Sequence, residues 1–495
     1  MSSSTFQPDH QVTIVGAGFG GLCMALQLAR AGESNFVLLE QAQEVGGTWR
    51  DNQYPGCACD VPSHLYSFSF EPHTAWSRMY ASHDEIQAYL VACSHKHGLR
   101  EKIWLGTALT EARFDEAHNV WHITTSTGLQ FSSRVLVTAL GALSRPAIPQ
   151  LPGIERFAGR VFHSARWDHS LDLQGLRVAV IGTGASAIQF VPHVQARAEQ
   201  VHVFQRTPAW VLPKGDRPFT PIELDRMQRI PGYRRLFRWR IYWRQEFTGL
   251  GFLVAPSLMA RAQSMATRFL KKHIKNPALR ERLLPRYTMG CKRVLLSNDY
   301  YPAMAQPNVK VHGMDELQGV TERGLLVGGQ ELPVDALIYG TGFRATDLLT
   351  PLRLLGRGGV DLNTVWAEKG LGAHNGVCVA GFPNLFMLLG PNTGLGHNSA
   401  IFMIESQVQY ILKGLARMRA RGATSVEVKP QAQEAFAQDM DARTQGTVWK
   451  SGCKSWYLDA KGRNVTLWPG FTFSYWWRLL SFKAGEHLWG RTARS

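Results

Sequence analysis

Two glycine-rich loops of the kind that binds dinucleotide phosphates occur in this chain of 495 residues. One is Gly16-Ala-Gly18-Phe-Gly-Gly21 and the other is Gly182-Thr-Gly184-Ala-Ser-Ala187. Glycines at these spacings permit a tight turn and a close approach of the backbone to a pyrophosphate, and the helix that follows directs amide N–H groups at it. Two loops therefore predict two bound dinucleotides, with electrons passing between them.

An acidic residue completes the first of these units. Apolar runs at 11–15 and 35–40 flank a helical pattern from Gly20 to Ala31, which predicts a strand–helix–strand unit. Glu40 follows Gly16 by 24 residues and ends the second strand, where a carboxylate can bind ribose hydroxyls. We therefore expect the first cofactor to be bound by Gly16, Gly18, Gly21 and Glu40.

The second unit carries a basic residue where the first carries an acid. Strand patterns at 177–181 and 200–204 flank a helix that begins near Ala185, and Ala187 replaces the third glycine at a position that only sets helix–strand packing. Arg206 follows Gly182 by 24 residues. A guanidinium suits the 2′-phosphate of NADPH, so the pattern favours NADPH over NADH. A solvent-facing arginine at a strand end is the alternative interpretation.

The segment between the two loops resembles a family signature. Phe157-Ala-Gly159-Arg-Val-Phe-His163-Ser-Ala-Arg-Trp167-Asp168 matches F-x-G-x-x-x-H-x-x-x-W-[PD], the signature of the flavin-dependent Baeyer–Villiger monooxygenases, at every fixed position. The run Gly46-Gly47-Thr48-Trp49, the turn Tyr54-Pro55-Gly56 and Asp60 also resemble that family. Further similar segments are the loop 389–399 and the loop Lys454-Ser455-Trp456-Tyr. The resemblance extends from about residue 11 to residue 480.

This resemblance implies two cofactors and the residues near them. It implies FAD close to Thr48, Trp49, Asp60 and Tyr66. It implies NADPH in the second unit, with Lys292 joining Arg206 at the 2′-phosphate, Arg293 facing both flavin and nicotinamide, and Trp456 contacting the nicotinamide cofactor. The residues expected to bind NADPH are Gly182, Gly184, Ser186, Arg206, Thr207, Lys292, Arg293 and Trp456. No residue is expected to bind a metal, because Cys57-Ala-Cys59 has no second pair at ligand spacing.

The reaction implied by the resemblance is a Baeyer–Villiger oxidation. NADPH reduces FAD, O₂ then gives a C4a-peroxyflavin, and one oxygen atom is inserted next to a ketone carbonyl to form an ester or lactone. Arg293 is expected to be the catalytic cation, and Asp60 is expected to hold it in place. An N- or S-oxygenating flavin monooxygenase is the alternative, so a sulfide substrate stays open. A dithiol or quinone reductase would need a C-x-x-C or C-x-x-x-x-C pair, and the spacing of Cys57 and Cys59 is wrong for it.

The two units predict an α/β fold with two Rossmann-like domains, one inserted into the other. The FAD-binding domain is predicted to be discontinuous, with its first part at 1–145 and its second part, including the C-terminal region, at 335–495. The NADP-binding domain is predicted at 146–334, with a helical insertion at about 219–285. A proline-rich segment at 145–152 marks the predicted connection from the first domain to the second.

Composition and net charge limit the binding partners and the cellular locations that the chain could have. Lysine and arginine number 54 against 38 acidic residues, a net charge of +16 at pH 7. No nucleic-acid-binding motif accompanies this charge, so we interpret it as that of a protein holding two phosphate-rich cofactors. The N-terminus does not resemble a secretory signal, and no apolar run is long enough to span a membrane. Seven scattered cysteines form no disulfide framework, which predicts a reducing cytoplasm.

The predicted insertion contains a basic, aromatic helix. Leu236, Trp239, Trp243 and Phe247 fall on one helical face, with arginines around them. Such a helix can lie on a membrane surface, which would allow peripheral contact through 226–250. Packing on the protein itself with a solvated basic rim is the interpretation that the sequence favours.

Overall fold

The computed structural model describes residues 6–255, 257–453 and 455–491. Its strands are β1 His10–Val15, β2 Phe36–Leu39, β3 Ile103–Trp104, β4 Leu109–Asp115, β5 Val120–Thr125, β6 Gln130–Thr138, β7 Arg160–His163, β8 Arg177–Ile181, β9 Gln200–Gln205, β10 Val211–Leu212, β11 Leu295–Leu296, β12 Val309–Gly313, β13 Leu317–Val320, β14 Gly324–Val327, β15 Gln330–Pro333, β16 Ala336–Tyr339, β17 Arg353–Leu355, β18 Leu385–Met387, β19 Ser425–Val428 and β20 His487–Gly490.

The α-helices are α1 Phe19–Arg30, α2 Thr48–Asp51, α3 His83–Lys96, α4 Ala187–Gln195, α5 Pro221–Arg229, α6 Tyr233–Leu253, α7 Ser257–His273, α8 Pro277–Leu283, α9 Tyr300–Met304, α10 Leu362–Lys369, α11 Ala400–Ala420, α12 Pro430–Thr444 and α13 Thr472–Leu479. Short 3₁₀ helices occur at Leu99–Lys102, Ile154–Arg156, Ser164–Arg166, Arg357–Gly359, Val448–Lys450 and Ala484–Glu486. Among the residues described, no helix combines the length and the apolar character needed to cross a membrane.

The first sheet is built from both ends of the chain. Its order is β17-β4-β5-β6-β1-β2-β3, and β18 pairs with β6. The central strands β6, β1 and β2 are parallel, and β2 is buried along its whole length. A parallel strand that is covered on both faces carries apolar residues at successive positions. This explains why the residues of β2, just before Glu40, do not alternate between apolar and polar. Since β17 and β18 come from beyond residue 350, the first domain is discontinuous.

The second sheet has the order β12-β9-β8-β16-β7 and is parallel throughout. Its fourth strand corrects one predicted boundary. β16 lies between β8 and β7, so the return to the first domain comes after Tyr339 and not at residue 335. The reason is that Ala336–Tyr339 is a short apolar run buried on both faces, and such a run fits the centre of either sheet equally well.

The two connections between the domains run side by side. The amide of Arg344 donates to the carbonyl of Arg145 at 2.9 Å, and that of Ala147 donates to Gly342 at 2.8 Å. The backbone at the two crossings is therefore hydrogen-bonded, which limits the freedom of one domain relative to the other.

The turn 54–56 of the first domain packs directly on α4 of the second. The Tyr54 hydroxyl donates to Oε1 of Gln189 at 2.9 Å, and Nε2 of Gln189 donates to the carbonyl of Ala58 at 2.9 Å. A Cβ on Gly56 would lie 2.5 Å from Nε2 of His193. Glycine is therefore required at residue 56 by the close approach of the two domains.

Four helices, α5 to α8, occupy the predicted insertion. On α6 the inner residues Ile241, Glu246 and Phe252 are buried. The Glu246 carboxylate accepts hydrogen bonds from the Thr472 amide at 3.1 Å and the Thr472 hydroxyl at 2.6 Å, and also from Asn398. Burial raises the pKa of Glu246, but hydrogen bonds from His397 and Thr472 outweigh it, so the pKa is lowered. This carboxylate joins the insertion to the C-terminal part of the chain.

We expect Glu246→Ala to destabilise the protein by about 3 kcal/mol at pH 7, because it leaves several buried donors without an acceptor. With a folded-state pKa below 4.5, Glu246 stabilises the fold above that pH, and the contribution is lost as the pH falls through the lower value. Thermal melts between pH 3 and pH 7 measure both effects. In Glu246→Gln the melting temperature should fall less steeply as the pH is lowered below 4.5.

The matched control is Glu281→Ala, which removes an exposed carboxylate of the same insertion and should change stability by less than about 1 kcal/mol. Equal melting temperatures for Glu246→Ala and the parent protein at pH 7 would contradict the anchoring role.

Candidate active site

In the first glycine loop, one of the three fingerprint glycines has room for an added Cβ. A Cβ on Gly16, whose φ is +99°, would lie 2.5 Å from the carbonyl oxygen of Ala139, and one on Gly21 would lie 1.8 Å from that of Gly16. Gly18 has an extended backbone, and its Cβ would come no closer than 3.8 Å, to Cα of Gly47. The fold itself therefore requires Gly16 and Gly21, whereas Gly18 keeps a surface open for a ligand group.

Glu40 is fixed beside this loop. It is buried at the end of β2, and its carboxylate accepts the amide of Ala17 at 2.8 Å and Nη1 of Arg50 at 2.9 Å. The backbone of the loop and the carboxylate are thus one unit, as a site for pyrophosphate and ribose requires.

The predicted flavin-side residues lie together next to the loop. Gly47 precedes α2, which begins at Thr48, and a Cβ on Gly47 would lie 3.2 Å from Cα of Gly18. Nε1 of Trp49 donates to the hydroxyl of Tyr66 at 3.3 Å, with their rings edge to face. The structure therefore brings Thr48, Trp49 and Tyr66 to the first loop.

The second loop repeats the design with one change. A Cβ on Gly182, at φ +108°, would lie 2.5 Å from the carbonyl oxygen of Gly340, whereas one on Gly184 would meet nothing closer than 3.9 Å. Ser186 precedes α4, and the methyl group of Ala187 is buried against Gly340, where an added Cβ would come within 3.0 Å of it. An alanine is tolerated at residue 187 because the residue across from it has no side chain.

Two cations near the end of β9 are close enough for one to lower the pKa of the other. Arg206 is exposed just beyond the strand, and the pKa of Lys292 is lowered by burial and by the positive charge of Arg206. Neither is ion-paired with a carboxylate in the part of the chain that the structure describes. Two like charges held together without a counter-charge are suited to binding an anion. The carbonyl of the adjacent Thr207 accepts a hydrogen bond from Thr183 of the glycine loop at 3.4 Å.

Arg293, the next residue after Lys292, reaches the first domain. Its Nε donates to Oδ2 of Asp60 at 3.1 Å, and its Nη2 makes a second, shorter bond to the same oxygen. The side chains are 42% and 32% exposed, so the pair is partly accessible to solvent. The charge of Asp60 raises the pKa of Arg293, although burial of Arg293 acts in the opposite direction. Burial raises the pKa of Asp60, but the charge and hydrogen bonds of Arg293 outweigh it, so the pKa of Asp60 is lowered. Both groups therefore stay charged across the physiological range.

Two residues that the sequence interpretation did not include also belong to this cluster. Lys214 is close enough to Asp60 to feel its charge, although burial dominates and lowers the pKa of Lys214. Tyr457 is buried beside Arg293, and burial raises its pKa to about 12. Tyr457 could have been found as the neighbour of Trp456 in the loop quoted above, whereas no local pattern points to Lys214.

The cysteine prediction is wrong in one respect. Cys291 and Cys453 form a disulfide with Cα atoms 6.3 Å apart, and 162 residues separate them in sequence, so no spacing pattern reveals the pair. It joins the loop of Lys292 and Arg293 to the loop of Trp456, which is 46% exposed and packs on Tyr457. Lys454 lies outside the described residues. Cys23, Cys57, Cys59, Cys93 and Cys378 are buried thiols, and among described residues no cluster of His, Cys, Asp or Glu could hold a metal.

The signature segment has a supporting position. The Trp167 ring lies 5.2 Å from that of Phe162 and 5.4 Å from that of Phe190 on α4. Nδ1 of His163 accepts the amide of Ala165 at 3.1 Å, and Asp168 accepts that of Ser170 at 3.0 Å. These contacts fix the strand that leads into the second domain against α4.

Comparison with known proteins agrees with this geometry. The model of the flavin-binding monooxygenase-like family matches residues 9–233. A Baeyer–Villiger monooxygenase of Pseudomonas aeruginosa is 48% identical over 94% of this chain and 88% of its own length. Another, from Streptomyces coelicolor, is 44% identical over 94% and 90%.

The chain belongs to the Baeyer–Villiger monooxygenase family. The crystal structure of OTEMO in complex with FAD and NADP superposes with a TM-score of 0.87 at 25% identity, covering 98% of this chain and all of that one. The family resemblance and the two-domain α/β fold predicted from the sequence are thereby confirmed.

The open position of the second glycine in each loop gives a matched pair of tests. We expect Gly18→Ala to lower flavin retention at least about tenfold and Gly184→Ala to weaken NADP⁺ binding by a similar factor, because each methyl group enters space kept for a ligand. Neither methyl group clashes with the protein, so melting of the apoprotein should not change.

Flavin absorbance per protein and NADP⁺ titration measure the two effects separately, and each variant is the control for the other. Loss of flavin from Gly184→Ala alone would contradict the assignment of the two loops.

Proposed function

We propose that this chain oxidises a ketone with O₂ and NADPH, giving an ester or lactone, NADP⁺ and water. One oxygen atom of O₂ enters the bond next to the carbonyl, and the other leaves as water after taking up a hydride from NADPH and a proton from solvent. The observation that carries the proposal is the loop 292–293. Its lysine is close enough to Arg206 to feel its positive charge, and its arginine donates a hydrogen bond to the Asp60 carboxylate.

The residues present fit the two cofactors. The open surface at Gly18 and the fixed carboxylate of Glu40 suit FAD, and Gly184, Arg206 and Lys292 suit NADPH. OTEMO, which shares this fold, binds both FAD and NADP. When bound, the cofactors supply the hydride and the activation of O₂.

The contribution of the protein is a fixed positive charge. The addition of an oxygen nucleophile to a carbonyl group places negative charge on oxygen, and a guanidinium held at that point stabilises it. Removal of one such donor from an enzyme typically costs about 3–4 kcal/mol. Asp60 accepts both hydrogen bonds from Arg293 and so orients the guanidinium, and Lys214 adds a second cation to the cluster.

The substrate is a small molecule with a carbonyl group, and the ketone class follows from the family. A thioether is the second candidate, because oxygen transfer to sulfur needs the same oxygen donor and no migration step. A cytoplasmic location stays a prediction that rests on the cysteine pattern and on an N-terminus unlike a secretory signal.

We expect Arg206→Ala to raise the KM for NADPH at least about tenfold while changing the KM for NADH less than twofold, since only NADPH has the 2′-phosphate. Lys292→Ala should act in the same direction. The control is Arg323→Ala, an exposed arginine of the same domain. Steady-state kinetics with both coenzymes decides the point, and equal effects on the two would contradict the phosphate contact.

We expect Arg293→Ala to consume NADPH but to form ester about 10²–10³-fold more slowly, because the charge is missing only where oxygen becomes negative. Arg293→Lys should recover part of the rate. Product analysis with a ketone and a thioether side by side under ¹⁸O₂ tests both the residue and the reaction. One ¹⁸O atom in the ester supports the proposal, whereas sulfoxide without ester from the parent enzyme would replace it by S-oxygenation.

A further inference from the structure

The outer face of α6 is apolar and exposed. Leu236, Trp239 and Phe247 are 55%, 57% and 66% exposed, and half-buried Trp243 lies between them along the same stripe. The inner face of the helix, with Glu246, is packed on the protein. The helix therefore carries two apolar stripes, one packed on the protein and one exposed to solvent.

A second helix extends this stripe. On α13 and just beyond it, Phe473, Trp476, Trp477 and Leu480 are exposed, with Trp477 at 71%. The rings of Trp243 and Phe473 lie 6.1 Å apart, and the hydroxyls of Tyr242 and Thr472 are hydrogen-bonded at 3.0 Å. The two helices therefore form one continuous surface, the α6–α13 face, defined by Leu236, Trp239, Trp243, Phe247, Phe473, Trp476, Trp477 and Leu480.

The helices around this face are strongly basic. Residues 233–280 contain 11 arginines and lysines and a single acidic residue. The acidic residue is Glu246, which is buried among its donors. Arg238 is turned inward, where it donates to the carbonyl of Ser67 at 3.0 Å. Arg235, Arg240 and Arg244 are exposed beside the apolar stripe. At α13, Arg478 is instead paired with Asp439.

We propose that the α6–α13 face docks this enzyme on an anionic membrane surface. Tryptophan and leucine side chains enter the boundary between headgroups and acyl chains, and exposed arginines beside them attract anionic headgroups. A second copy of the chain is a poorer occupant, because two such faces would oppose cations with cations and carry no exposed carboxylates on α6 to offset them. Nucleic acid would use the arginines but would leave the leucines and most of the tryptophans without a partner.

The test uses the full-length holoenzyme and sedimentation with vesicles. Vesicles of phosphatidylcholine with 30% phosphatidylglycerol should bind it, vesicles of pure phosphatidylcholine should bind it at least tenfold more weakly, and binding should decrease between 50 and 300 mM salt. Combined Trp239→Ala, Phe247→Ala and Trp477→Ala substitutions should reduce binding to anionic vesicles at least tenfold.

Two matched controls separate the apolar and the charged contributions. Leu129→Ala with Ile148→Ala removes exposed apolar side chains elsewhere and should leave binding unchanged. Arg235→Glu with Arg240→Glu should weaken binding to anionic vesicles, whereas Arg156→Glu with Arg323→Glu, at exposed sites of the second domain, should have less than a twofold effect. Oxidation of a water-soluble ketone without vesicles should be the same in all these variants, so membrane binding and catalysis are tested independently.

Several outcomes would overturn the proposal. These are no binding to anionic vesicles, binding that the triple substitution does not weaken, and binding of an unstructured oligonucleotide that equals vesicle binding and ignores the triple substitution. A concentration-dependent dimer in sedimentation velocity that the triple substitution abolishes would assign the face to a second copy of the chain instead.

Discussion

The ion pair of Arg293 and Asp60 is the contact on which the proposed active site depends, because it joins distant segments of the chain, one in each of the two predicted domains. The partners are 233 residues apart in sequence. A partly exposed ion pair gains little from charge attraction alone, since water competes for both groups. Its geometry must therefore come from the surrounding structure, and in the proposed reaction the position of one domain on the other would set where the guanidinium lies relative to the carbonyl.

The contacts between the domains are suited to that task. The backbone at Gly56 approaches α4 so closely that a side chain there would not fit. Tyr54 and Gln189 form a hydrogen bond across the same boundary. Trp167 packs on Phe190 of the same helix. Trp167 of the family signature thus contacts α4 and not the proposed reacting groups, which suits a residue that helps to position one domain on the other. The disulfide of Cys291 and Cys453 adds a covalent link on the other side of Arg293.

The sequence predicts what depends on short-range patterns and misses what depends on pairing at long range. Both glycine loops, Glu40 and Arg206 could be identified because a nucleotide site needs certain residues at certain distances along one strand–helix–strand unit. The partner of β16, the disulfide and the position of Lys214 could not, because each depends on which distant segment folds against it. Ala187 is an intermediate case, since the pattern tolerates it but only Gly340 explains why. Asp60 and Arg293 were identified through the family resemblance, not through local physics.

The positive charge of the chain requires two explanations. Under the proposed function, the binding of phosphate-rich cofactors accounts for Arg206 and Lys292, and the reaction accounts for Arg293 with Lys214 nearby. These are four cations, whereas residues 233–280 alone carry 11 with one buried acid. A cluster of that size destabilises itself by mutual repulsion unless something offsets it. Because the exposed apolar stripe of α6 lies among those cations, charge and apolar surface occur on the same helix, and a single anionic, apolar partner would account for both.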